Sequence, residues 1–128
     1  LMRILLAEDD TSIQRIASLA LERVGGHQVT TVNNGRETLE SLKHQTFDLI
    51  LLDIMMPELD GFECCRILKG DAKTQAIPII FLTARAQTQE IQKGLALGAA
   101  GYIVKPFDPM TLPKQIEEIL SGGQAHAS

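Results

Sequence analysis

Five short apolar runs, each followed by a stretch of helical periodicity, constrain this chain more than any other feature. The runs are RILLAED (3–9), HQVTTVNNG (27–35), DLILLD (48–53), IPIIFLTA (77–84) and GYIVKP (101–106). An unbroken apolar run of this length reads as a strand buried on both faces. The second run is polar and β-branched instead, which suits an edge strand ending in an Asn-Asn-Gly turn. DLILLD is the most apolar and is expected at the centre of the sheet.

The intervening segments carry the other period. In DTSIQRIASLALERVGG (10–26), Ile13, Ile16, Ala17, Ala20, Leu21 and Val24 share one helical face. Thr11 or Ser12 is expected to cap this helix and Gly25-Gly26 to stop it. Leu39 and Leu42 point inward from a second helix, and Gly61, Cys64, Cys65 and Leu68 form the stripe of a third. A fourth, TQEIQKGLALGA, closes at Gly98. In DPMTLPKQIEEIL (108–120) there are two possible starts. Asp108 can cap with Pro109 in the first position, or the helix begins near Pro113, because a proline in the second turn deletes a hydrogen bond.

Strict strand–helix alternation implies an α/β fold with a parallel sheet covered on both faces. The expectation is five strands in the order 2-1-3-4-5, doubly wound and flavodoxin-like, with five helices. Such a sheet has a switch point, and ligands bind there at the carboxyl ends of the strands. The 128 residues suit one domain, expected over 1–121. Residues 122–128 are expected to be a disordered tail or a truncated linker. Leu1 ahead of Met2 is read as a cloning remnant. A net charge of −4, no basic stripe, one Tyr and no Trp argue against a nucleic-acid surface. No apolar stretch reaches membrane-span length and no secretory signal is visible. Adjacent Cys64 and Cys65 form neither a disulfide framework nor a zinc site and are expected in the core, which points to the cytoplasm.

Three acids stand at strand ends: Glu8, Asp9 and Asp53. Strands one and three flank the switch point, so the three should converge. Two unit charges 4 Å apart repel by about 4 kcal/mol at an effective dielectric of 20. Three together call for a cation, and oxygen donors in an open crevice favour Mg²⁺. Lys105 after the last strand adds a positive charge, and Thr83 at the end of the fourth adds a hydroxyl. Together they suit a phosphoryl group, with a carboxylate as its acceptor and Lys105 and the metal balancing its charge.

In the motifs LLAEDD, LLDIMMPELDG, FLTA and GYIVKPF, in this order and spacing, the chain resembles the receiver domain of two-component response regulators from about Arg3 to Leu120. The resemblance implies that Asp53 is the phosphoacceptor and that Glu8 and Asp9 hold Mg²⁺. Glu8 stands where other members have Asp, and Asp10 is the less constrained position that follows. It implies a further metal ligand in the Met55 backbone carbonyl, and Thr83 as the switch hydroxyl. Ala84 would keep the phosphate accessible, Lys105 would bind it before a cis bond to Pro106, and Tyr102 would be the switch aromatic. Met55 and Arg85 would line the approach of a hydrolytic water, which implies slow loss of the phosphoryl group. The donor implied is a phosphohistidine on a histidine kinase or phosphotransfer protein. The chain would promote its own phosphorylation and dephosphorylation without a separate substrate. The face of helix 4, strand 5 and helix 5 would be read by an output partner or a second copy.

Rival functions meet specific obstacles. A flavin enzyme needs a Ser/Thr/Gly-rich loop after the first strand, and AEDDTS is not one. An aspartate-nucleophile phosphatase needs Asp-x-Asp there, and Glu8 and Asp10 break that pattern. A binding-only pseudo-receiver would lack one of the acids, the Thr or the Lys. GAAGY (98–102) lacks the acidic pair often found in receivers joined to winged-helix DNA-binding domains, which argues mildly against that class. The chain is either a stand-alone receiver or one cut from a longer protein.

Overall fold

The computed structural model describes residues 1–85, 88–122 and 126–127. Its elements run β1 (Arg3–Ala7), α1 (Thr11–Leu19), a π-helical turn (Ala20–Val24), β2 (Gln28–Val32), α2 (Gly35–His44), β3 (Leu49–Asp53), α3 (Gly61–Lys69), β4 (Ile79–Thr83), α4 (Thr88–Ala96), β5 (Gly101–Val104), α5 (Leu112–Leu120) and β6 (His126–Ala127). Five parallel strands stand in the expected order β2-β1-β3-β4-β5, and two-residue β6 lies beyond β5. Of the segment expected to be a tail, His126 and Ala127 thus pair with Tyr102 and Ile103, while 123–125 and 128 lie outside the described residues. β2 is an edge and β3 is central, as their compositions indicated.

Alternation along each strand divides the core in two. Ile4, Leu6, Leu51 and Leu82 face α1 and α5 with Ala17, Leu21, Ile116 and Ile119. Leu5, Ile50, Leu52 and Phe81 face the other way, with Cys64, Cys65 and Leu68 of α3. Burying each such Leu or Ile is worth about 1.5–3 kcal/mol, so the strands are pinned in register from both sides. Both cysteines are buried and free. Burial, followed by the neighbouring Cys65 and Asp60, pushes the Cys64 thiol up to about 12, so it packs as an inert apolar group.

Two helix starts depart from the first expectation. The cap of α1 is Asp10, whose Oδ1 accepts from the Ser12 and Ile13 amides at 2.9 and 3.1 Å; neither Thr11 nor Ser12 caps it. An ionised carboxylate is the stronger acceptor at the positive end of a helix. Of the two starts considered for α5, the later one holds. It begins at Leu112 with Pro113 in its first turn, where a missing N–H removes no helical bond. Asp108 instead closes a preceding turn by accepting from the Met110 amide at 2.9 Å. Among the described residues no helix is long and apolar enough to cross a membrane.

Candidate functional site

The strand ends converge as the topology requires. Asp53 is the last residue of β3 and Thr83 the last of β4, while Glu8 and Lys105 directly follow β1 and β5. Lys105 Nζ lies 3.0 Å from Glu8 Oε1 and 3.1 Å from Asp53 Oδ2. These side chains are deeply set: 1% of Glu8, 4% of Asp53 and 14% of Lys105 is exposed. One cation therefore faces two buried anions. A carboxylate oxygen from each of Glu8, Asp9 and Asp53 falls within a 4.8 Å cluster, with Asp9 on the exposed side.

The electrostatics follow from this imbalance. Burial raises the Glu8 pKa from 4.5 to about 7; the Asp10 amide opposes that rise, the Asp53 charge adds to it, and Lys105 opposes it. Burial alone would lower the Lys105 pKa, but the Glu8 hydrogen bond and the two carboxylate charges outweigh it and raise the pKa above 10.5. A divalent cation suits this donor set on chemical grounds. The ligands are hard oxygens, their negative charge exceeds that of the single lysine, and Asp9 leaves one side open.

The local folding explains the placement. Gly61 donates to the Ile54 carbonyl at 2.9 Å, and a Cβ on Gly61 would collide with the Asp53 carbonyl oxygen. Only glycine lets the start of α3 close against the loop after β3. Within that loop the Met55 amide donates to Asp53 Oδ1 at 3.2 Å, while the Met55 side chain stands outward, with 75% of the residue exposed. Met55, Thr83, Ala84 and Arg85 meet in a cleft of about 310 Å³, whose remaining lining is Ile54 and Glu90. Glu8, Asp9, Asp53 and Lys105 thus meet at one point, and Met55, Thr83, Ala84 and Arg85 line a cleft next to the loop that follows Asp53.

Two details were not legible in the residues. The Thr83 hydroxyl donates to the Arg85 carbonyl at 2.9 Å and accepts from the Arg85 amide at 3.1 Å. Tyr102 is half-buried, and with Thr83 and Arg85 it lines a void of only about 10 Å³. That volume holds about one water and no ring. The Lys105–Pro106 peptide is cis, as expected. Asp10 was read only as a neighbour of the acid pair, yet it caps α1 and its amide donates to Glu8 Oε2 at 3.0 Å. An acid just ahead of a helical stripe was the signal for the cap.

The model of the response regulator receiver domain matches residues 4–117. The transcriptional regulatory protein AfsQ1 of Streptomyces coelicolor is 40% identical over 125 residues, covering 98% of this chain and 54% of that protein. The probable transcriptional regulator ycf27 of Porphyridium aerugineum is 40% identical over 118 residues, covering 92% and 48%. The chain thus spans about half the length of these curated relatives. Among solved structures, the chemotaxis response regulator CheY4 of Vibrio cholerae superposes with a TM-score of 0.87 at 34% identity, covering 93% of this chain and 98% of that one. The receiver domain of the sensor histidine kinase PA1611 of Pseudomonas aeruginosa, with a magnesium ion coordinated in its active-site cleft, gives 0.83 at 31% identity, covering 94% and 98%.

Proposed function

The chain belongs to the response regulator receiver family, and on that premise we propose that Asp53 is the acceptor of its phosphoryl group. Receiver domains are phosphoacceptor signalling switches that interact with histidine kinases, and this chain is such a domain. The observation that supports the residue assignment is the Lys105 ammonium held 3.0 Å from Glu8 and 3.1 Å from Asp53. In this reading Glu8, Asp9, Asp53 and the Met55 carbonyl would hold Mg²⁺, which would supply positive charge to the phosphoryl oxygens.

An Asp53 carboxylate oxygen attacks phosphorus of a donor phosphohistidine from a histidine kinase or phosphotransfer protein. The phosphorus–oxygen bond forms, the phosphorus–nitrogen bond breaks, and the freed imidazole takes up a proton. Lys105 balances charge on the transferred group, and small Ala84 leaves room for the donor. The product carries roughly −1.5 to −2 of added charge and new acceptor oxygens. The Thr83 hydroxyl then gives up the Arg85 carbonyl and donates to the phosphoryl group. Release of the Arg85 carbonyl lets that residue shift, and the void beside Tyr102 enlarges enough to admit its ring. The α4–β5–α5 face changes shape and is read by an output partner or a second copy. The cytoplasm is the proposed compartment. For a longer protein containing this domain, the names of the relatives favour a transcriptional output, although GAAGY lacks the acidic pair often seen in that class.

The test is phosphorylation by acetyl phosphate with Mg²⁺, followed by mass spectrometry. The wild type should gain one phosphoryl group and Asp53→Asn none. Undiminished labelling of Asp53→Asn would refute the assignment.

A further inference from the structure

Asp9 presents a puzzle. Its carboxylate belongs to the metal cluster, yet among the described residues it receives no hydrogen bond and no ion pair. An exposed side chain without partners is a poor ligand unless its backbone is held still, because ordering it on binding costs rotamer and backbone entropy.

The backbone is held on both sides. The peptide after Asp9 is pinned by its N–H: the Asp10 amide donates to Glu8 Oε2 at 3.0 Å. The peptide before Asp9 is pinned by its carbonyl: the Gln14 side-chain Nε2 donates to Glu8 O at 2.9 Å. The same nitrogen reaches Val32 O at 3.3 Å and Asn33 Oδ1 at 3.2 Å, at the end of β2. Three oxygens surround it, so it can only be the amide nitrogen that faces them. The Asn33 amide is oriented in turn, because its Nδ2 donates to Glu37 Oε1 at 3.2 Å. Gln14 is itself anchored one turn into α1, its own amide donating to Asp10 O at 2.9 Å.

We infer that Gln14 is a positioning residue for the metal site, holding the Glu8–Asp9 peptide so that the Asp9 carboxylate is presented without side-chain partners of its own. This rests on the reading of Glu8, Asp9 and Asp53 as Mg²⁺ ligands. The same bonds also close the ends of β1 and β2, so the positioning role is separated from that structural work by comparing Mg²⁺ affinity with thermal stability. Groups that orient metal ligands in this way typically change affinity by 10–100-fold when lost.

The experiment is calorimetric titration of the full chain with Mg²⁺ alone, alongside thermal unfolding without metal. Gln14→Met keeps the length and removes the donor; it should weaken Mg²⁺ binding by about tenfold. Ile119→Val, a core change on α5 remote from the acids, should lower Tm and leave Mg²⁺ affinity unchanged. Gln14→His keeps an N–H donor at about the same reach without a fixed charge and, at about pH 8, should stay within about threefold of the wild type. If Gln14→Met loses Tm but binds Mg²⁺ like the wild type, the inference is overturned. If it does not fold, Gln14→His decides: a tenfold loss with the donor retained overturns the inference. If the wild type does not bind Mg²⁺, or Asp9→Asn binds it equally well, the metal reading fails and the inference falls with it.

Discussion

The two ends of the sheet use the same kinds of residue to opposite effect. At the amino end, Arg3 donates its amide to Asp48 Oδ2 at 2.8 Å and its guanidinium to Gln45 at 3.1 Å, and lies 5.8 Å from the Phe47 ring centroid. The Met2 amide finds His27 Nδ1 at 3.0 Å. Polar groups there are satisfied by one another and, around Arg3, open to solvent. At the carboxyl end, Glu8 and Asp53 are buried against one lysine with a third carboxylate beside them. The first arrangement costs little and calls for no ligand. The second is costly in the absence of a ligand, and that cost is what a cation or phosphoryl group relieves. Unbalanced charge, more than any single motif, marks the working end.

The largest test of this contrast removes the cation from each end. Lys105→Met leaves two buried carboxylates unpaired and should destabilise the metal-free protein by about 2 kcal/mol, less than a fully buried pair would lose because the crevice is open on one side. Arg3→Ala should cost about 0.5 kcal/mol or less, since its contacts are exposed. Urea denaturation without Mg²⁺ measures both; equal losses would erase the contrast.

A pH series sharpens it. The folded Glu8 pKa lies near 7 against 4.5 for the free group. Between those values the folded state binds the extra proton, so stability falls as pH rises from about 4.5 through about 7. Glu8→Gln should flatten that decline. Mg²⁺ should also reduce it, because a cation favours the ionised carboxylate. A decline of the same slope in Glu8→Gln would assign the effect to another group.

The smallest effect concerns the rim of the working end. Met55 offers a hydrolytic water no hydrogen bond, and Arg85 can cover or pair with the phosphoryl group. Met55→Asn combined with Arg85→Glu should shorten the phosphoryl lifetime severalfold, followed by loss of the phosphorylated mass over time. An unchanged or longer lifetime would remove both residues from that role.

Much of this was readable in the chain because the signals are local. Period-2 and period-3.6 hydrophobicity depends on neighbours a few residues apart, so the parallel sheet and the two-sided core followed from the alternation. Acids at the ends of apolar runs then had to converge, because a parallel sheet puts every strand's carboxyl end on one edge. The sequence by itself thus determined the fold and which acids, hydroxyl and lysine stand at the strand ends. The tertiary structure decided which of several chemically equivalent groups meet. It selected Asp10 over Thr11 and Ser12 as the cap, occupied the Thr83 hydroxyl with Arg85, left too little room beside Tyr102 for an inward ring, and brought Gln14 to Glu8 and to Val32, 18 residues away. A hydrogen bond depends on tenths of an ångström between segments distant in sequence, and no local period carries that information.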